Sequence, residues 1–259
     1  MLGDGAPLLV LHGLFGSGTN WRTIARRLAE RHRVVLVDLR NHGASPHAPE
    51  MDYPLMAADV RALLDHLGLQ RAALLGHSMG GKTAMRLALE TPDRVERLCV
   101  VDIAPAPSNQ DHQPVLAVLQ ALDLATIRRR ADADVALSGS LPDPALRAFL
   151  LQNLVLATDG ARWRIDLEAI AGNHAALTGF PDPPAGATYR GPTLFVRGAR
   201  SDYLQPAHEP AIRALFPRAE MRAVAGAGHW VHAEQPVAFL ETVLPFLDPE
   251  HRAALDAPR

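Results

Sequence analysis

The chain has one cysteine, Cys99, so no intramolecular disulfide can staple it and its stability must come from packing. Cys99 lies in the apolar run "RLCVV" and reads as a small buried packing residue. Aromatic residues are scarce at 5%, and neither sign of charge prevails: 26 Lys and Arg against 28 Asp and Glu leave a formal net charge of -2. That balance supplies no long-range field to gather nucleic acid or an anionic membrane. The one basic cluster, Arg128-Arg129-Arg130, has no aromatic or glycine pattern around it and reads as a solvated helix face. Long apolar runs are missing as well. The run before His12 is five residues long, too short for a signal or a membrane span, so a soluble cytoplasmic protein is expected.

What is present is ordinary for a globular chain of 259 residues: 48% apolar and 21% charged, enough to bury a sizeable core. This length suits one α/β unit with an insertion. Short Val- and Leu-rich runs recur at 8–12, 34–38, 72–76, 97–104, 193–198 and 220–228, without the alternation of a half-exposed strand. Helical patterns fall between them at 20–31, 56–67, 80–90, 207–215 and 236–247. The alternation predicts an α/β fold with a doubly wound, mostly parallel sheet. The rhythm breaks between Ala104 and Gly191, where "PVLAVLQALDLATIRRRA" and "PALRAFLLQNLVL" look helical and "GFPDPPAGATYRGP" looks like loop. Residues 1–104 and 191–259 are therefore expected to form the core and 105–190 a helical cap insertion over the carboxyl ends of the strands.

The stretch "LLGHSMGGKTAM" satisfies two signatures. Gly76-His77-Ser78-Met79-Gly80 is G-x-S-x-G, a turn that presents a nucleophilic serine. Gly76 to Thr83 is G-x-x-x-x-G-K-T, a phosphate-cradling P-loop, with Lys82 for the phosphates, Thr83 for magnesium and Asp102 as a downstream metal acid. Both need a strand before and a helix after, so the rest of the chain must decide. A serine nucleophile also needs oxyanion donors, a base and an acid. "HGLFGSGTNW" can aim the Leu14 N–H at an oxyanion beside the Met79 N–H, and "GAGHW" places His229 as base after the last strand. An NTPase has no use for either, which favours the nucleophile. Lys82 then contacts the insertion or faces solvent. His42, His47, His77 and His232 match no metal-ligand spacing, so no metal or other cofactor is expected.

"HGLFGSGTNW", "DLRNHGASPH", "GHSMGGKTAM", "VDIAP" and "GAGHWVHAE" together resemble the α/β-hydrolase superfamily, specifically the YbfF-type esterases and their mitochondrial abhydrolase relatives. The resemblance spans most of the chain; within the insertion only "RWRIDLEAI" shares it. It implies a serine carboxylic-ester hydrolase acting on short to medium acyl esters. The same triad could instead serve C–C bond hydrolysis, thioester hydrolysis or perhydrolysis, or survive in a ligand receptor. Such relatives usually begin with a further strand or two, whereas seven residues precede Leu8 here. The sheet is thus expected to be shortened at its N-terminal edge, which is either open or covered by a partner chain in a homo-oligomer.

In most members of the superfamily the triad acid lies three residues after the glycine of the strand represented by "TLFVRG", which here is Ser201, with Asp202 one residue later. YbfF-type relatives also carry serine there, and in them the strand-end Asp of "VDIAP" is the proposed acid. The resemblance therefore favours Asp102, with Asp202 as the alternative, and makes Asp38 a loop-organising residue beside Arg40. Phe15, His77, Met79, Trp230 and apolar residues of the insertion are expected around a small-molecule ester. Activity is expected to fall below the ordinary histidine pKa of about 6.5.

Overall fold

Residues rich in Val, Leu and Ala pair as six parallel strands: β1 (Ala6–Leu11), β2 (His32–Val37), β3 (Ala72–His77), β4 (Val95–Val101), β7 (Thr193–Gly198) and β8 (Ala219–Val224), in the spatial order β2-β1-β3-β4-β7-β8. The computed structural model describes residues 1–158 and 160–248. Alternate side chains of each strand feed opposite faces of the sheet, as the pleat requires. Leu8, Val10, Leu75, Cys99, Val101, Leu194 and Val196 pack on one face, against Trp21, Ile24, Leu28 and Phe239. Leu9, Leu11, Leu74, Leu98, Val100 and Phe195 pack on the other, against Met56, Val60, Met85 and Ile212. Both faces are covered, which explains why the strands read as unbroken apolar runs.

Five helices follow the expected pattern, α1 (Arg22–Leu28), α2 (Tyr53–His66), α3 (Met79–Glu90), α9 (Glu209–Leu215) and α11 (Pro236–Leu247), and a short α10 (Val231–Glu234) that was not expected follows β8. Asp52 starts α2 by accepting from the Leu55 N–H at 2.8 Å, a side-chain cap for an otherwise orphaned donor. Helix α1 is shorter than the pattern over 20–31, because residues 18–21 form a tighter 3₁₀ turn. The last strand is shorter as well, since its "GAG" end is turn.

The segment between β4 and β7 departs furthest from expectation. It holds α4 (Gln113–Gln120), α5 (Arg130–Leu137), α6 (Pro144–Leu150), α7 (Leu167–Gly172) and α8 (His174–Thr178), and also an antiparallel hairpin of β5 (Leu154–Ala157) and β6 (Gly160–Trp163). The end of "PALRAFLLQNLVL" is therefore strand rather than helix. Trp163 opposite Leu154 donates its indole N–H to the Leu119 carbonyl at 3.2 Å, a tertiary bond that no local helical period reports. The Arg128–Arg130 run is not one helix face: α5 begins at Arg130, whose guanidinium reaches the Leu154 carbonyl at 3.0 Å.

β2 is one edge of the sheet, and the chain's own start meets it: Leu2 and Val34 exchange two backbone hydrogen bonds, at 3.0 and 2.7 Å, in a single antiparallel bridge. No helix among the described residues is long and apolar enough to cross a membrane.

Candidate active site

The chain runs from β1 outward to β2 and then returns to lay β3 on the other side of β1, so the strand order reverses between β1 and β3. A crevice opens at such a switch point, beyond the carboxyl ends of the strands. A cleft of about 360 Å³ lies there, bordered by His12, Gly13, Leu14, Phe15, Ser78 and His229 among others.

Ser78 is the single residue between β3 and α3, at φ +52° and ψ −120°. Backbone in such a region costs of order 1–3 kcal/mol and persists only when its surroundings hold it. Here the Ser78 N–H donates to the Val101 carbonyl at 3.0 Å, and its carbonyl accepts from Lys82 N–H at 3.0 Å. The flanking glycines are steric necessities: a Cβ on Gly76 would stand 2.3 Å from the Gly80 carbonyl oxygen, and one on Gly80 would stand 2.5 Å from that of Leu11. A turn of one residue leaves no loop of backbone amides to wrap a phosphate, so the P-loop spelling has no P-loop geometry. Lys82 is instead buried, its amine donating to the Thr178 and Gly179 carbonyls at 3.0 and 2.6 Å, and burial lowers its pKa to about 8. The Thr83 hydroxyl donates to the Met79 carbonyl at 3.0 Å.

His229 follows β8, in a loop bracketed by Glu234, which accepts from the N–H groups of Gly228 and Trp230 at 2.7 and 3.2 Å. Its Nδ1 donates to Asp102 Oδ2 at 2.8 Å, which leaves Nε2 as the basic nitrogen. Asp102, at the end of β4, is fully buried and also accepts from the Gly198 N–H at 2.9 Å and from the Ser201 hydroxyl. Asp202 is exposed and accepts from Gln205 instead. The acid that reaches the histidine is thus Asp102, and the serine at the more usual acid position supports it. Burial pushes the Asp102 carboxyl up to about 6, opposed by its hydrogen bonds from Ser201 and Gly198 and by Arg197. Burial, with the nearby His112, lowers His229 to about 3. Burial thus favours the neutral form of both groups.

After β1, the His12 ring orders the next turn: Nε2 accepts from the Leu39 N–H at 3.0 Å, so the proton is on Nδ1, which donates to the Gly13 carbonyl at 2.8 Å. Leu14 borders the cleft, and Met79 opens α3, where the leading N–H groups have no intrahelical acceptor. The Phe15 N–H is already spent on His42 Nε2 at 3.2 Å. Asp38 organises this loop as expected, accepting from the Gly18 and Ala44 N–H groups at 2.7 and 2.8 Å, but Arg40 pairs with Asp59 rather than with it.

The α/β-hydrolase fold model matches residues 6–236 of this chain. The chain is 43% identical over 248 residues to the sn-1-specific diacylglycerol lipase ABHD11 of Mus musculus, covering 93% of this chain and 80% of that one. It is 35% identical to Esterase YbfF of Escherichia coli (strain K12), over 95% and 94% of the two chains. Among solved structures, a marine microorganism esterase superposes with a TM-score of 0.91 at 38% identity, covering 95% and 97%. The chain belongs to the α/β-hydrolase family.

In this α/β hydrolase Phe15, His77 and Trp230 border the cleft, whereas Met79 borders a smaller adjoining hollow with Ser78, Lys82 and Tyr53. His77 is buried beside Ser78, its Nε2 donating to the His229 carbonyl at 2.9 Å. Several cleft residues carry no sequence signal. Tyr203 stacks on the His229 ring at 3.6 Å, and His112, Val115, Leu146 and Phe149 come from the segment between β4 and β7. Apolar residues of that segment were expected around the substrate, but its runs do not say which side chains turn inward. The His77 and His232 rings meet with centroids 5.0 Å apart, and among the described residues no group of three or more His, Cys, Asp or Glu is arranged to hold a metal ion.

Proposed function

We propose that this hydrolase cleaves short to medium carboxylic esters through a Ser78 acyl-enzyme, with His229 as base, Asp102 as its orienting acid, and the Leu14 and Met79 N–H groups as oxyanion donors. The observation that carries the reading is the 2.8 Å bond from His229 Nδ1 to the buried Asp102, which directs the basic Nε2 away from the acid, on the cleft that Ser78 also borders. Nε2 takes the Ser78 proton as Oγ attacks the ester carbonyl, and the two N–H groups receive the developing negative charge. His229 then returns that proton to the departing alcohol. Water, deprotonated by the same nitrogen, adds to the acyl carbon, and the acid leaves as Ser78 recovers its proton. The rings of Phe15, Phe149 and Trp230 give the cleft an apolar lining that suits an acyl chain.

In this reading residues 105–190 act as the cap that shapes the cleft, no metal or cofactor takes part, and the enzyme works in the cytoplasm. The names of the relatives, a lipase and two esterases, agree with ester chemistry. Hydrolysis of p-nitrophenyl butyrate, measured without added metal, tests it. Wild type is expected to turn over and Ser78→Ala to lose on the order of 10⁴-fold in kcat. A variant that keeps its rate overturns the assignment.

A further inference from the structure

The segment between β4 and β7 also grips the loop that follows β1. At its centre is Phe15, a non-glycine residue at φ +61°. Left-handed backbone at a bulky residue must be held there by its neighbours. The peptide before Phe15 is held by His42: the Phe15 N–H donates to Nε2 at 3.2 Å, and the His42 proton is on Nδ1, where it meets the Arg40 carbonyl at 3.0 Å. The peptide after Phe15 is held by Asn153, whose Nδ2 donates to the Phe15 carbonyl at 2.7 Å.

Asn153 is built for that contact. It is 4% exposed, and its other amide bond goes to the Leu150 carbonyl at 3.2 Å, so Nδ2 is aimed by the end of its own helix. Its backbone carbonyl is tied to the Arg164 N–H at 2.8 Å, just past the hairpin. A closed backbone turn, Gly16 N–H to the Gly13 carbonyl at 3.0 Å, then connects Phe15 rigidly to Leu14.

We propose that Asn153 is a positioning residue for the oxyanion donor: by fixing the Phe15 carbonyl it holds the turn that aims the Leu14 N–H at the oxyanion. The inference rests on the Ser78 reading above. Without Asn153 the Phe15 carbonyl loses its side-chain donor and the peptide after Phe15 is left to the Gly16 N–H bond to Gly13; relaxation of Phe15 then rotates the Leu14 peptide. A donor that acts on the oxyanion stabilises the transition state more than the bound ester, so its loss falls on kcat rather than KM.

The test compares wild type, Asn153→Ala and the near-isosteric Asn153→Asp, which lacks the donor, on p-nitrophenyl butyrate. A trifluoromethyl ketone serves as oxyanion probe. Ser78 Oγ adds to its carbonyl carbon, the serine proton passes to His229, and the carbonyl oxygen becomes the anion. Both variants are expected to lose about 10- to 100-fold in kcat with KM within about threefold, and to bind the ketone correspondingly more weakly. Gln152→Ala, which removes only the neighbouring surface bond to Asn20 Nδ2 at 2.6 Å, is expected to keep its rate within about twofold. Ketone affinity is referred to the folded fraction from thermal unfolding, and Asn153→Asp decides the matter if Asn153→Ala does not fold. Ser78-dependent activity with wild-type kcat and ketone affinity in both variants overturns the positioning role and leaves the enzyme assignment standing. A wild type that does not turn over the ester, or a Ser78→Ala variant that does, overturns both.

Discussion

A carboxylate taken out of water costs several kcal/mol unless donors replace the lost solvent. Asp102 meets three, from Gly198, Ser201 and His229. The bonds from Gly198 and Ser201 hold the carboxylate fixed while Oδ2 orients the imidazole. Asp202 remains in solvent beside Gln205. Asp102→Asn is expected to lower kcat on p-nitrophenyl butyrate by about 10³-fold or more, because an amide cannot hold the productive imidazole tautomer. Asp202→Asn is expected to stay within about threefold, and parallel steady-state assays separate the two. The Ser78 and His229 positions were readable from short motifs, because a strained turn demands small neighbours and a strand-end histidine stands out. Asn153 and Tyr203 were not readable. Asn153 meets its partner Phe15 across 138 positions of chain, and asparagine beside a helix end is ordinary in any sequence.

Among the elements, the β3–Ser78–α3 elbow leaves no room for a side chain at its flanking glycines. Helix α3 packs so closely on β1 that a methyl group on Gly80 would lie 2.5 Å from the Leu11 oxygen and 2.6 Å from that of His12. Neither oxygen belongs to a flexible side chain, so the helix itself must retreat and carry the Met79 N–H with it. Gly80→Ala is expected to lose both thermal stability and nearly all activity. Gly172→Ala, at the end of α7 where an added Cβ meets nothing within 4 Å, is expected to gain about 0.4–1 kcal/mol by restricting the unfolded chain. Thermal melts of the two variants check the pair. At this scale the main strands and helices were legible, because burial on both faces of the sheet leaves an unmistakable apolar run. The β5–β6 hairpin was not, since "LLQNLVL" has apolar spacing compatible with a helix and turns to strand only because Gly160 to Trp163 folds back on it.

For the molecule as a whole, the histidines set the response to acid. His12, His42, His77, His112, His229 and His232 all have pKa values lowered by burial, His42 and His229 to about 3. Below their unfolded value of 6.5 the unfolded chain binds protons that the native state refuses. Their stabilising effect is therefore complete above pH 6.5 and is lost as pH falls. Each group contributes a slope of up to about 1.4 kcal/mol per pH unit. Asp102 opposes them, because its folded pKa is raised and acid favours its native form, but it is one group against six. The melting temperature is expected to drop by several degrees per pH unit between pH 6.5 and 5. Scanning calorimetry across that range checks it, and a flat profile would contradict the burial of these rings as neutral groups.

The sequence by itself determined the α/β class, the serine at a glycine-flanked strand end, the histidine after the last strand and the lack of any disulfide. These follow from local sterics and from apolar runs, which act over a few residues and leave their mark in order along the chain. Only the tertiary structure decided that Asp102 rather than Asp202 reaches His229, that Lys82 is spent on the carbonyls of Thr178 and Gly179, and that Asn153 holds Phe15. Each depends on two segments far apart in the chain meeting within hydrogen-bond distance, a condition that no local sequence pattern sets.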